Sequence, residues 1–303
     1  MIRQDTEVRL KEISGRSSGT FGLAVLDLAG EEFFFINEQK IFPQASAIKI
    51  PILMEVYKQA GEGKFNLSDL RRISKGDRTP GSGVLGGAWE LFSALTSAFA
   101  RSMRFEKETP RLMFRAGLAA VSGAVSLSVR DLCVLMILVS DNTATNMLID
   151  LVGMGNVNRT MGSLGCGQTR LRRRMMDLNA RAQGRENVST PADAARLMRI
   201  LYRGEFISRA ACDDILEILS KPKKSAIHAG VLSSIQVACK PGGITGVVTE
   251  WAIVFLKDRP YVIAAMEHFG ANKKPGVKLR DVSAVIYQCY ARLCHTTNCG
   301  KTP

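Results

Sequence analysis

The sequence predicts a mixed α/β fold in which an antiparallel sheet, built from both ends of the chain, flanks an all-helical middle. Residues 21–28 and 32–36, rich in aromatic and branched side chains and separated by Ala29-Gly30-Glu31, have the pattern of a β-hairpin. Alternating or apolar runs of strand length return only late, at 235–240, 251–256 and 261–266. Between them apolar residues recur at helical spacing, and 278–293 returns to helix. The expected division is a sheet subdomain from residues 1–65 and 222–303 and an all-helical subdomain from 66–221, with an inserted apolar segment at about 84–123.

Taken in order, Val8, Leu10 and Ile13 among charges predict a short amphipathic helix that stops at Gly15. After the hairpin, Phe42-Pro43-Gln44-Ala45 leads into a helix that begins near Ser46, continues through Pro51-Ile52-Leu53-Met54 to about Gln59, and is ended by Gly61 and Gly63. A short helix is expected over 66–73. In the insertion, Trp89, Leu91, Phe92, Leu95, Phe99 and Met103 and then Leu112, Met113, Phe114 and Leu118 predict an apolar lid or helical hairpin, with ordinary core as the alternative. Interrupted by Glu90 and Arg101, it is too short to span a bilayer. Ser128 has the position of an N-cap for the buried helix that holds 132–139, and Thr190-Pro191 opens two more helices.

Composition excludes several function classes. With 46% hydrophobic and 23% charged residues the chain is ordinary for a soluble globular protein, and its net charge of +13 comes from scattered basic residues with no nucleic-acid motif beside them. A solvated basic face is expected, with no nucleic-acid partner and no membrane span. Seven cysteines without paired spacing predict a reduced protein, not a disulfide framework. Cys289, Cys294, His295 and Cys299 fit no zinc pattern, so no metal is expected. The first residues, Met1-Ile2-Arg3-Gln4-Asp5-Thr6-Glu7, lack an apolar signal core. That predicts a cytoplasmic address, or a periplasmic or secreted one if a leader has been removed.

Ser46 and Lys49 are three residues apart, one turn on one helix face, which brings a nucleophile beside a base. The lysine can accept a proton only if burial or nearby cations lower its pKa. Two imitations are set aside by context: Ser220-Lys221-Pro222-Lys223 repeats S-x-x-K in a polar turn with a proline inside it, and Gly15-Arg16-Ser17-Ser18-Gly19 satisfies G-x-S-x-G but follows a helix and precedes a strand. A polar cluster, 140–146, ends the apolar helix and must find partners.

With Ser46-x-x-Lys49, Ser140-Asp141-Asn142 and Lys240-Pro241-Gly242 in this order, the chain resembles the class A β-lactamases and the related penicillin-binding proteins, whose marks are S-x-x-K, S-D-N and K-T-G. Lys274-Pro275-Gly276 rivals the third mark but sits in a polar turn. The resemblance runs over most of the chain and implies a β-lactamase/transpeptidase-like fold and a small-molecule β-lactam, ester or amide substrate, with no cofactor. It implies that Ser46 is acylated, Lys49 takes its proton, Ser140 relays a proton to the leaving nitrogen, Asn142 and Asn179 contact substrate, Lys240 supplies positive charge, and the N–H groups of Ser46 and Gly243 form the oxyanion hole.

Two departures qualify this. Where class A enzymes carry E-x-x-L-N, this chain has Met175-Met176-Asp177-Leu178-Asn179, so the glutamate that activates the deacylating water is replaced by Met175. Slow deacylation is expected unless Asp177, two residues on, substitutes for it through a shifted loop. Pro241 removes a hydroxyl and an N–H that help bind the substrate carboxylate. The expectation is a β-lactam-hydrolysing serine enzyme. An esterase, amidase or D-alanyl-D-alanine peptidase, and a non-enzymatic sensor acylated once, stand as alternatives.

Overall fold

The structure is a computed structural model and describes residues 2–30, 33–86, 108–122, 126–270 and 273–298. Helix α1 (Ile2–Ser14) leads into β1 (Thr20–Asp27) and β2 (Phe33–Ile36), which pair antiparallel as the hairpin pattern requires. Three late strands, β7 (Val237–Ile244), β8 (Val247–Val254) and β9 (Tyr261–His268), join them in the order β2-β1-β9-β8-β7, all antiparallel. Strand β9 is central and apolar on both sides, so it is buried from Tyr261 to Glu267. Both sheet faces are therefore covered.

One face packs α1 and the closing helix α10 (Leu279–Asn298) through Leu10, Ile13, Val282 and Ile286. The other meets a larger helical core. The numbering of the middle runs β3 (Phe42–Pro43), α2 (Lys49–Gly61), β4 (Leu70–Arg72), α3 (Glu108–Ser122), β5 (Ser126–Ser128), α4 (Val129–Leu138), α5 (Asn142–Val152), α6 (Met154–Ser163), α7 (Leu178–Ala182), β6 (Val188–Ser189), α8 (Pro191–Arg203) and α9 (Arg209–Ser220). Helix α2 packs into this core with α4, α5 and α6. Helix α4 starts as its sequence demands: Ser128 Oγ accepts the Asp131 N–H and the Asp131 carboxylate accepts the Ser128 N–H, each at 3.0 Å. Thr190 Oγ1 caps α8 by accepting the Asp193 N–H at 3.1 Å, with Pro191 in its first turn. Among the described residues no helix is long and apolar enough to cross a membrane.

Three expectations need correction. Residues 66–73 do not form a helix: the Asp69 carboxylate takes the Asn66 N–H at 2.9 Å, a local turn that competes with helix initiation, and β4 then pairs with β5. Lys240 does not end its strand. Strand β7 continues through Pro241-Gly242-Gly243 to Ile244, and as an edge strand it tolerates the proline. The second half of the apolar insertion is core rather than lid, since α3 buries Leu112, Met113 and Ala116 while Phe114 faces out. Its first half, Trp89 to Met103, lies outside the described residues, as does Cys299 of the tail. Cys133, Cys166, Cys212 and Cys239 are buried free thiols.

Candidate active site

Ser46 is placed by a short, heavily anchored lead-in. Gln44 is fully buried: its N–H donates to the Asn187 carbonyl at 2.9 Å, its side-chain Nε2 to the Phe42 carbonyl at 2.9 Å, and its Oε1 accepts the Trp251 Nε1–H at 2.9 Å. Ala45 is held at φ 45°, a left-handed conformation that β-carbon sterics disfavour, and a 3₁₀ turn, Ala45–Ile48, follows. Within 44–50 every side chain is buried except Ser46, which reaches the cavity wall. The strain is maintained by the anchors around it.

Strand β7 lies directly against this turn because Gly242 has no side chain. A Cβ there would lie 2.7 Å from the Gln44 carbonyl oxygen and 2.8 Å from the Ala47 nitrogen, inside any ordinary contact. Gly242→Ala should therefore push β7 away from Ser46. The expected outcome is a loss of about 1–3 kcal/mol of stability and slower acylation at Ser46, read by chemical denaturation and by adduct formation. A variant as stable and as quickly acylated as wild type would show that the close approach is not needed.

Lys49 opens α2 and is completely buried. Its Nζ donates to the Ser140 carbonyl at 2.7 Å, to Ser140 Oγ at 3.0 Å and to Asn142 Oδ1 at 3.1 Å. Ser140 Oγ in turn donates to Ser46 Oγ at 2.8 Å. The expectation that Nζ touches Ser46 directly is corrected to a chain of three: Ser46 Oγ, Ser140 Oγ, Lys49 Nζ. Burial first, and the positive charge of Lys240 second, push the Lys49 pKa well below the lysine range, while the Asp141 carboxylate works against them. The lysine is thus disposed toward its neutral, proton-accepting form.

The middle motif contributes through three different side chains. Ser140 sits between α4 and α5 at φ 56°, which turns its hydroxyl toward Lys49 and Ser46. Asp141 caps α5, accepting the Ala144 N–H at 2.9 Å, and its other oxygen accepts the Val84 and Leu85 N–H groups at 2.6 and 2.8 Å, so it ties the 82–85 loop to the site. Burial raises its pKa and those three N–H groups oppose the rise. Asn142 is buried with both ends engaged, Oδ1 with Lys49 and Nδ2 with the Pro80 carbonyl at 3.0 Å. The tie made by Asp141 escaped sequence reasoning, although an aspartate just ahead of a helix is an N-cap signal.

One helical turn beyond Asn142, Asn146 clamps the backbone of Met175 in both directions: Oδ1 accepts its N–H at 2.8 Å and Nδ2 donates to its carbonyl at 3.1 Å. Asn187 holds the preceding strand of this loop through the Arg172 and Arg173 N–H groups. The Met175 backbone is therefore held by Asn146, and its side chain is buried in the helical core. Asp177 serves as a helix cap. Its exposed carboxylate caps α7, accepting the Ala180 N–H at 2.9 Å. Asn179, expected to contact substrate, is exposed in that helix and is not among the residues that line the cavity; the loop ahead of it passes through Met176 at φ 62°.

Lys240 and Gly243 do face the cavity, with Ser46 and Ser140, around a volume of about 970 Å³. Lys240 is 2% exposed and donates to the Pro241 carbonyl at 2.9 Å. Burial and the nearby Lys223 charge lower its pKa to about 7. A Cβ at Gly243 would meet nothing within 4 Å, so the strand is open to a ligand there. No residue of α3 lines this space among the described residues.

A five-stranded antiparallel sheet thus lies between terminal helices and a helical core, with a serine, a buried lysine and a second serine brought together beside one cavity. The chain belongs to the beta-lactamase enzyme family, whose pattern it matches over residues 5–290. It is 27% identical over 202 residues to β-lactamase CARB-3 of Pseudomonas aeruginosa, 66% of this chain and 58% of that protein's length. With β-lactamase AST-1 of Nocardia asteroides it shares 34% over 146 residues, 46% of this chain and 47% of the relative. The chain thus spans well under two thirds of these curated relatives. Among solved structures, PBP-A superposes at TM-score 0.76 over 95% of this chain and 96% of that one at 24% identity. The β-lactamase from Sphaerobacter thermophilus does so at 0.73 over 93% and 96%, at 26% identity.

Proposed function

We propose that the protein is a serine hydrolase that opens β-lactams through an acyl-enzyme at Ser46. The hydrogen-bonded chain from Ser46 Oγ through Ser140 Oγ to Lys49 Nζ carries this reading. Hydroxyl hydrogens rotate, so the chain can run as Ser46 to Ser140 to a neutral Lys49. The Ser46 proton then passes along it to Nζ while Oγ attacks the lactam carbonyl. As the C–N bond breaks, the proton returns by way of Ser140 to the leaving nitrogen, which leaves an ester on Ser46. The N–H groups of Ser46 and Gly243 would hold the developing oxyanion, each such donor contributing about 10²–10³ in rate.

Release of the acyl group is the slow step on this reading. Met175 has no basic atom, and the nearest carboxylate along the loop, Asp177, is exposed and caps α7. A single-residue variant of the fold neighbour PBP-A was solved as an acyl-enzyme complex with penicillin G (TM-score 0.75, 25% identity). That supports acylation chemistry on this scaffold. Met175 also favours a second reading, in which esters or amides turn over and β-lactams remain attached. Intact-mass measurements over time separate the two. A β-lactam adduct that forms and clears with product identifies a β-lactamase, a persistent adduct with ester turnover identifies the second reading, and absence of both excludes Ser46 chemistry.

The charge on Lys240 makes a pH prediction with a definite sign. Lowered to about 7, this lysine is cationic below that pH and neutral above it. Its attraction for a substrate carboxylate should fade as pH rises through 7. The ratio of kcat/KM for a carboxylate-bearing ester to that for a neutral ester should fall by roughly tenfold between pH 6 and 8.5, about one charge-assisted hydrogen bond. A ratio that stays flat or climbs would remove Lys240 from carboxylate binding.

A further inference from the structure

The cavity beside Ser46 holds more positive charge than one carboxylate needs. Lys223, Lys224, Lys240 and Lys278 line it, with Arg280, which pairs with Asp281 at 3.2 Å; they come from the segment after α9, from β7 and from the start of α10. Glu250 is the one carboxylate among the described lining residues: Ser225 Oγ donates to it, as do the Ala226 and Ile227 N–H groups at 3.0 and 3.3 Å, and its charge acts on both Lys223 and Lys240. None of the ion pairs among the described residues joins Glu250 to a lining lysine.

The ammonium groups are correspondingly under-used. Each carries three N–H donors. Lys240 is buried and spends one on the Pro241 carbonyl, and Lys223 spends one on the Leu219 carbonyl at 2.6 Å. Lys224 and Lys278 stand exposed at the rim. One carboxylate, Glu250, faces several cations, and gathering like charges is unfavourable unless anions balance them; Lys223 is the second cause, after burial, of the lowered Lys240 pKa, and Glu250 only partly opposes it. Pro241 has meanwhile removed the hydroxyl that would orient a single carboxylate. Charge is what remains for recognition.

We propose that this end of the cavity is a binding site for a leaving group that carries two carboxylates. The inference rests on Ser46 as the acylation site, and it names the substrate class: acyl donors whose departing amine or alcohol is a dianion. One carboxylate meets Lys240, and the second meets Lys223 with Lys224 and Lys278 at the mouth.

Three aryl esters with one acyl group and the leaving groups phenol, 3-hydroxybenzoate and 5-hydroxyisophthalate test it, with acylation followed by phenolate release and intact mass. The diacid ester should acylate Ser46 roughly tenfold faster than the monoacid, the weight of one further charge-assisted contact. The double variant Lys224→Gln, Lys278→Gln should reduce that step to near unity. A control that removes equal charge elsewhere, Lys11→Gln with Lys64→Gln, should preserve it. A diacid no faster than the monoacid overturns the proposal, and so does an equal effect of both double variants, which would mean only the field of a basic protein. If no ester labels Ser46, the acylation reading fails by itself, and calorimetry on Ser46→Ala protein still decides the site. Isophthalate should bind roughly tenfold tighter than benzoate, again dependent on Lys224 and Lys278, and equal binding overturns the site.

Discussion

Ser46→Ala protein should gain no mass from either a β-lactam or an aryl ester, and its hydrolysis should fall by about 10⁵–10⁶, the scale of removing a serine nucleophile. The substitution is small and lies at the cavity wall, so the fold should persist with an unchanged melting temperature. Lys49→Met tests the other end of the chain. It keeps the length and apolar stem of the lysine, removes the base and breaks the bonds to Ser140 and Asn142, and acylation should slow by about 10²–10⁴. Because Ser140 stands between the two, Ser140→Ala should resemble Lys49→Met in rate. Adduct formation at wild-type speed in Ser46→Ala protein would assign the chemistry to another residue and end the argument for this site.

Met175→Glu should shorten the life of the acyl-enzyme by about 10²–10⁴, the usual worth of a positioned general base. The position is prepared for it. Asn146 fixes the Met175 backbone from both sides, one helical turn from the Asn142 that touches Lys49, so a carboxylate there would start from a held backbone. The exchange should also cost stability, because Met175 is buried in the helical core and an ionised side chain is expensive there. Met175→Gln separates the two effects: it has the size of glutamate but no base and should leave the adduct as long-lived as in wild type. If adduct lifetime in folded Met175→Glu protein is unchanged, something other than the missing carboxylate limits release.

Most of the elements and the Ser46–Lys49 segment were legible because both are written in short-range patterns. The 21–36 hairpin, the capped helix after Ser128 and the Thr190-Pro191 helix start follow from side-chain periodicity and caps, which need only neighbouring residues. The 66–73 segment misled because a single Asp69 carboxylate outcompetes a helix start, a contest that apolar spacing does not record. For Asn179 the motif position gave no information on burial: it is exposed in α7, after a left-handed Met176 at φ 62°.

By itself the sequence determined the strand and helix order, the Ser46–Lys49 pairing on one segment, and the absence of a glutamate at Met175. Only the tertiary structure decided that Lys49 meets Ser46 through Ser140, 91 residues further on, that Asp141 ties down the 82–85 loop, and that Lys223, Lys240 and Lys278 share one cavity. The reason is physical. Local propensity and periodicity act over one or two turns, whereas the proton chain and the basic cavity arise where β7, α10 and the ends of α4 and α9 are packed together by cores whose apolar residues are largely interchangeable in kind. Such packing fixes which polar groups meet, and no spacing along the chain records it.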